Sequence, residues 1–318
     1  MRSPQEPTFR WSSSYHTPVL VGDVLELLHG KRTVLDGTLG GGGHSHALLE
    51  HGAMVIALDR DPQAIAEARE RLRSFEASGQ FHPLLGNFAD IDHIDALAGA
   101  RFDGILLDLG VSSHQLDERS RGFSFREGAP LDMRMDGAEE SSPTAAEFLN
   151  EADERALSDM FREYGDEPAA HRLAREITRR RATRPFRISD DLVNAIRATL
   201  GARAGPADFA RLFQAMRIAV NDELHTLERA LPALRDRLQE GGVMAVIAYH
   251  SGEDRLVKHA FRDWSASCVC PPRQPVCTCR GRPLGETLTR KARTAGAEET
   301  AGNPRARSAR LRAWRRGA

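Results

Sequence analysis

Apolar runs and helical repeats alternate along the first third of the chain. "RTVLDGTLG" is a short apolar run ending in a glycine turn, and "HSHALLEHG" behind it has the length of a short helix closed by glycine. "MVIALDRD" is a second apolar run of strand length. It leads into "PQAIAEARERLRSF", where a proline near the start precedes apolar residues at helical spacing. "FHPLLGNFAD" holds a third strand and a turn. "FDGILLDLG" is a fourth strand with an acidic residue at the end of its apolar run. Such alternation predicts a parallel α/β sheet.

The alternation then stops. "VSSHQLDERSRGFSFREGAPLDMRMDG" has little period, and from "SSPTAAEFLNEADERALSDMFREYG" to about Leu200 the pattern is helical, with Ser142 or Thr144 as the first cap. "DFARLFQAMRIAVNDELHTLERALPALRDRLQEGG" resumes the α/β pattern as one long helix. A strand, a turn and a helix follow in "VMAVIAYHSGEDRLVKHAF". The expected organisation is a discontinuous sheet domain, residues 1–125 and 206–318, with a helical insertion over 126–205.

Composition adds bounds. With 318 residues, 41% hydrophobic and 28% charged, the chain suits a soluble globular protein of one large or two modest domains. A net charge of -1 gives no nucleic-acid signature overall, but "HRLAREITRRRATRPFR" and "NPRARSARLRAWRR" are locally basic and suited to phosphates. No apolar run reaches membrane-spanning length and the start lacks the apolar core of a secretory signal, so no membrane partner and a cytoplasmic location are expected. Cys268, Cys270, Cys277 and Cys279 fall in "CVCPPRQPVCTC". Two readings stand: a structural zinc site, or a loop of free thiols.

The chemistry starts at "DGTLGGGGHS". A strand, a glycine turn and a helix bring backbone N–H groups beside a ligand. No lysine follows the glycines, so the phosphate-loop motif is absent, and a GxGxxG match in so glycine-rich a run says little. Asp59 ends the strand "MVIALD", where a carboxylate can accept both hydroxyls of a ribose. Asp61 suits the cap of the next helix. Asp108 ends the fourth strand, so Asp36 or the glycines, Asp59 and Asp108 are expected along one cleft, with Asn87 and Phe88 as an adenine contact and an apolar wall.

At "DGTLGGGGHS", "LDRDP", "GILLDLGVSSHQLDERSRGFSFREGAPLDMRMDG", "FQAMRIAVNDEL", "HSGEDRLVK", "NPRARSARLRAW" and the early "HTPVL", the sequence closely resembles the ribosomal RNA small subunit methyltransferase H family. The resemblance covers roughly His16 to Trp314. It implies a class I S-adenosylmethionine-dependent methyltransferase, a Rossmann-like α/β sheet domain with an inserted helical domain. The implied reaction is methylation of cytidine N4 in the decoding region of bacterial 16S rRNA, at position 1402 in the usual rRNA numbering. It implies S-adenosyl-L-methionine contacts at Gly42, Gly43, His44, Asp59, Phe88, Asp108 and Gln115. The implied partner is 16S rRNA in an assembled or nearly assembled small subunit, with a second copy of the chain as a candidate partner. Departures from the family pattern are Tyr249 and Gly252 in "AYHSGEDR" and His114 in "DLGVSSHQLD". Gly252 is expected to loosen the turn after the last strand, and the others to act locally.

Transfer to an exocyclic amine asks for an acceptor beside that amine, and Asp108 is the candidate catalytic residue. The chain has "DLGVSS" where amino-methyltransferases often carry D/N-P-P-Y/F. Ser112 and Ser113 are therefore candidates for the base edge, and Phe123 or Phe125 for stacking. Arg217 and Asn221 lie four apart on one predicted helix face and are expected to face the cleft with His250. Two other classes share parts of this pattern. A nicotinamide dehydrogenase would use the glycine turn and Asp59 but needs a hydride-transfer site, which is not found. A non-catalytic RNA-binding factor would use the basic runs but has no need of an adenosyl pocket.

Overall fold

The computed structural model describes residues 10–13, 17–136, 142–201, 203–271, 274 and 276–318. His16 of the "HTPVL" motif and the Ser113 side chain lie outside the described residues. Seven strands form one sheet: β1 Thr33–Asp36, β2 Met54–Asp59, β3 Phe81–Leu85, β4 Phe102–Asp108, β5 Leu238–Ala248, β6 Gly285–Thr287 and β7 Arg310–Arg316. Their order is β3-β2-β1-β4-β5-β7-β6. Strands β1 to β5 are parallel, and β7 is antiparallel to both β5 and β6. The parallel strands β1 to β5 are the Rossmann-like α/β sheet that the sequence predicts, and the antiparallel β7 and β6 extend it beyond that expectation. Strand order reverses between β1 and β4, and ligands of such sheets sit outside the carboxyl ends of the strands at that switch.

The chain divides into two compact units, residues 1–110 with 224–318, and residues 111–223. The inserted unit is thus wider than the expected 126–205 at both ends. Its core explains why: Phe123 on one side and Phe209, Leu212, Phe213, Met216 and Val220 on the other are buried with the insertion's own helices.

In the sheet unit, helices α1 Val21–Leu27, α2 Gly43–Glu50 and α3 Pro62–Ala77 accompany the first strands. Asp61 caps α3, its Oδ1 accepting from Gln63 N at 3.0 Å, with Pro62 as the first helical residue. The basic tail, expected to be an RNA patch, is in large part sheet. Leu311, Ala313 and Trp314 in β7 are fully buried. Arg312 is buried too, and its Nε and Nη2 grip Asp254 at 2.7 and 3.1 Å. Arg316 Nη1 donates to the carbonyls of Arg235, Asp236 and Leu238.

In the inserted unit, α4 Ser113–Asp117, α5 Ala145–Glu151, α6 Glu154–Glu163, α7 Ala170–Arg181, α8 Ser189–Leu200 and α9 Pro206–Val220 surround one apolar core. Thr144, not Ser142, caps α5, in a reciprocal box with Glu147. The long helix expected after residue 206 is two. α9 ends at Val220 and α10 Glu223–Arg237 follows, with Asp222 at φ 48 between them. Asn221 holds the break: its Nδ2 donates to Met133 O at 2.7 Å, and its Oδ1 accepts from Met135 N at 2.9 Å. The loop from 133 to 135 therefore takes its backbone partners from this side chain, which an uninterrupted helix would carry elsewhere.

Two helices complete the sheet unit, α11 Ser251–Ser265 and α12 Ala297–Gly302. No helix among the described residues is long and apolar enough to cross a membrane.

Candidate active site at the carboxyl edge of the sheet

Each parallel strand delivers a functional side chain at its carboxyl end, where its apolar run stops. Asp36 leaves β1 fully buried. Its Oδ2 accepts from Ser45 Oγ at 2.7 Å and its Oδ1 from Thr38 N at 3.2 Å. Burial raises its pKa, and the neighbouring His44 opposes that shift. Asp36 thus braces the glycine loop from inside.

Asp59 leaves β2 and accepts two backbone N–H groups, Gly40 N on Oδ2 at 2.8 Å and Asp61 N on Oδ1 at 2.9 Å. Burial, only partly offset by those two bonds, pushes its pKa up to about 6. A carboxylate has about four acceptor positions, so two bonds leave capacity for two ligand hydroxyls. A Cβ built on Gly40 would meet nothing within 4 Å among the described residues, so none of them fills that side of the loop. Sequence reasoning passed over Gly40, although its place in the glycine run is the one that meets Asp59.

Gly42 and Gly43 answer to the protein's own packing. Gly42 is the residue before α2, at φ 71, a left-handed conformation that glycine adopts without strain. A Cβ on Gly43 would lie 2.8 Å from Pro18.

Asp108 is held from both its backbone and its side chain. Its backbone N donates to Thr38 Oγ1 at 2.6 Å. Its Oδ1 accepts from the Tyr249 hydroxyl at 2.9 Å, and its Oδ2 lies 3.6 Å from His44 Nδ1. The other ring nitrogen of His44 faces Val19 O at 2.8 Å, so Nε2 must carry a proton. His44 is 5% exposed, with both nitrogens directed at protein atoms, so it braces Asp108. Tyr249, expected to matter only locally, supplies a bond that phenylalanine cannot. Burial and the adjacent Asp108 raise the phenol well above its ordinary pKa, which keeps it a donor.

Phe88 follows β3, half-buried, its Cβ 3.1 Å from the position a Cβ on Gly37 would take. It thus stands against the end of β1. Asn87 is occupied as a cap, accepting from Ala89 N at 3.0 Å. His250 follows β5 and caps α11 in a reciprocal box with Glu253. Gly252 is a buried residue of that capped first turn. Beside them, a cleft of about 450 Å³ is lined by Tyr249, His250, Lys258, Arg290, Lys291 and Arg310. Lys258 and the adjacent pair Arg290 and Lys291 escaped sequence reasoning because they lie some thirty residues apart in the chain and only the fold gathers them.

The remaining candidates belong to the inserted unit. Gln115 and Ser112 form the cap of α4, Ser112 N donating to Gln115 Oε1 at 3.0 Å and Gln115 N to Ser112 Oγ at 3.1 Å. Arg217 makes a two-pronged bond to Glu223, at 2.8 and 2.9 Å. Arg217 and Asn221 were expected to share a helix face turned to the cleft. Within the inserted unit the first is clamped to Glu223, and the second is spent on the 133–135 backbone. Phe123 is a core residue, whereas Phe125 is 36% exposed and packs edge-on against Phe209 and Phe213. In the basic stretch of α7, Arg179 and Arg180 converge on Glu176, and Arg181 donates to the carbonyls of Leu149 and Ala152.

Comparison with known proteins adds a second line. A model of the MraW methylase family matches residues 13–317. Over 304 residues the chain is 64% identical to ribosomal RNA small subunit methyltransferase H of Gemmatimonas aurantiaca, covering 96% of each chain. Its identity to the protein of the same name from Heliobacterium modesticaldum is 48% over 309 residues, covering 94% of this chain and 97% of that one. For the Myxococcus xanthus protein of that name, identity is 45%, with 95% and 97% covered.

Proposed function

The chain belongs to the MraW methylase family, and on that premise we propose that it methylates the N4 amine of a cytidine in the decoding region of 16S rRNA, within the small ribosomal subunit. S-adenosylmethionine is the methyl donor. Bound, it supplies an electrophilic methyl group on a sulfonium. The recess suits its adenosine half: Asp59 for the ribose hydroxyls, the open side of Gly40 for a close backbone approach, and Phe88 as an apolar wall.

The observation that carries the reading is the clamp on Asp108. The cytosine amine is a poor nucleophile because its lone pair is shared with the ring. An acceptor for one of its N–H bonds returns density to nitrogen as the new bond forms. Asp108 can accept that N–H while Tyr249 and His44 fix the carboxylate's orientation. Preset orientation matters more than basicity here, because a carboxylate free to rotate would lose alignment as often as it found it. The cleft lined by Lys258, Arg290 and Lys291 provides charge for the phosphates of the target strand. The base itself must leave its stack to bring the amine to the methyl group.

Isotope-labelled S-adenosylmethionine, incubated with purified protein and either small subunits or naked 16S rRNA, tests the reading. The expected result is transfer to RNA, reduced to background by Asp108→Ala with cofactor binding retained. Absence of transfer to either substrate overturns it. Loss of cofactor binding in the Asp108→Ala chain would move the residue's role to the cofactor.

A further inference from the structure

The four cysteines take no part in the site above. They lie between α11 and β6, in a segment with little else to order it. Cys268 and Cys277 are exposed, as are Val269 at 44% and Val276 at 70%. Among the described residues of the loop none is a buried apolar side chain that would offset the entropy of fixing it.

The sulfurs nonetheless converge. Cys277 Sγ lies 3.8 Å from Cys268 Sγ, 3.8 Å from Cys270 Sγ and 3.5 Å from Cys279 Sγ, and Cys279 Sγ lies 3.8 Å from Cys268 Sγ. All four are within 4.8 Å of one another. A regular tetrahedron of thiolates at the zinc–sulfur bond length of about 2.3 Å has edges of about 3.8 Å. A disulfide would need about 2.05 Å. A backbone donor also points at the sulfurs: Val269 N reaches Cys279 Sγ at 3.4 Å. Such bonds favour thiolates and orient metal ligands.

We propose that Cys268, Cys270, Cys277 and Cys279 bind one Zn²⁺ in a closed tetrathiolate site. With four protein ligands no position is left for water or substrate, so the ion is structural. It ties the two Cys-x-Cys arms together and holds the loop where Arg280 donates to the carbonyls of Asp263 and Ala266 at the end of α11. A zinc ion here replaces the core that the loop lacks.

Metal content of the full-length protein, purified under reducing conditions from zinc-supplemented medium, tests this. The expected value is about one zinc per chain, released when a mercurial titrates the thiols, and near zero in a Cys277→Ser/Cys279→Ser chain. Co²⁺ added to the stripped protein should give the intense visible bands of tetrahedral thiolate coordination, discharged by Zn²⁺. Circular dichroism and cofactor binding of the double variant guard against global unfolding. Zinc content well below one and unchanged by the substitutions overturns the proposal, as does a weak, octahedral-type cobalt spectrum. Neither readout depends on methyl transfer, so the proposal and the catalytic reading fail separately.

Discussion

Asp59 makes cofactor affinity depend on pH in a defined direction. Its carboxyl titrates near 6 in the folded chain because burial outweighs the two backbone bonds it accepts. Ribose hydroxyls donate to the ionised form, so binding selects the carboxylate. At pH 7 about nine-tenths of the chains carry it, and at pH 5 about one-tenth. Affinity for S-adenosylmethionine or its demethylated product should therefore fall about tenfold between pH 7 and pH 5, roughly 1.4 kcal/mol. Below pH 6, binding should release up to about one proton per cofactor, because the complex holds Asp59 ionised. Titration calorimetry in two buffers of different ionisation enthalpy reads that proton directly. Asp36 is also raised by burial, so Asp59→Asn is the control: it should bind more weakly at pH 7 and show a flat pH dependence. A wild-type chain that exchanges no proton on binding between pH 5 and 6, or an Asn variant with the same release, refutes the assignment. The same shift acts on stability with the opposite slope. A carboxyl held above its unfolded value of 3.8 stabilises the fold while protonated. That contribution is whole below pH 3.8 and is lost as pH rises through about 6.

Removing the Tyr249 hydroxyl with Tyr249→Phe takes one charge-assisted bond from Asp108, and kcat/KM should fall about tenfold with cofactor Kd changed less than about threefold; equal turnover in a rapid-quench assay would show that the hydroxyl does not position the carboxylate. Asp254→Ala strands Arg312, which is 8% exposed, and should cost about 3–5 kcal/mol in urea unfolding. An apolar pair at both positions should recover most of that, whereas a loss under about 1 kcal/mol would mean the pair is not buried in solution. Asn221→Ala leaves Met133 O and Met135 N without their partner and should destabilise the inserted unit by about 1–3 kcal/mol, read by hydrogen exchange at residues 133–135. Lys291→Ala with Arg290→Ala should raise KM for RNA and flatten its salt dependence by about two counterions while leaving cofactor Kd unchanged; an unaltered salt slope removes the cleft from the RNA path.

Period and punctuation made the first four strands legible, because buried parallel strands are short apolar runs ending at polar residues. Asp59 and Asp108 could be named for the same reason, since each is the first carboxylate after such a run. The tail was opaque. β7 reads as a basic run, yet Leu311, Ala313 and Trp314 are core and Arg312 is neutralised by Asp254, some fifty-eight residues earlier in the chain. Charge counting cannot see a partner supplied by the fold. The break at Asn221 was equally hidden: the helical period runs on through it, and what stops the helix is the demand of the 133–135 backbone. Tyr249 looked like a conservative change because its consequence lies 141 residues away at Asp108. Lys258 and the pair Arg290 and Lys291 are distant in sequence, and only the fold brings them to one cleft.

The central claim is the identity of the atom that receives the methyl group. Small subunits methylated by the purified protein, digested to nucleosides and resolved by mass spectrometry against standards, answer it. The expected product is one modified cytidine carrying the label on N4, in the decoding region, with none from the Asp108→Ala chain. Label on a ring carbon or a ribose oxygen would contradict it.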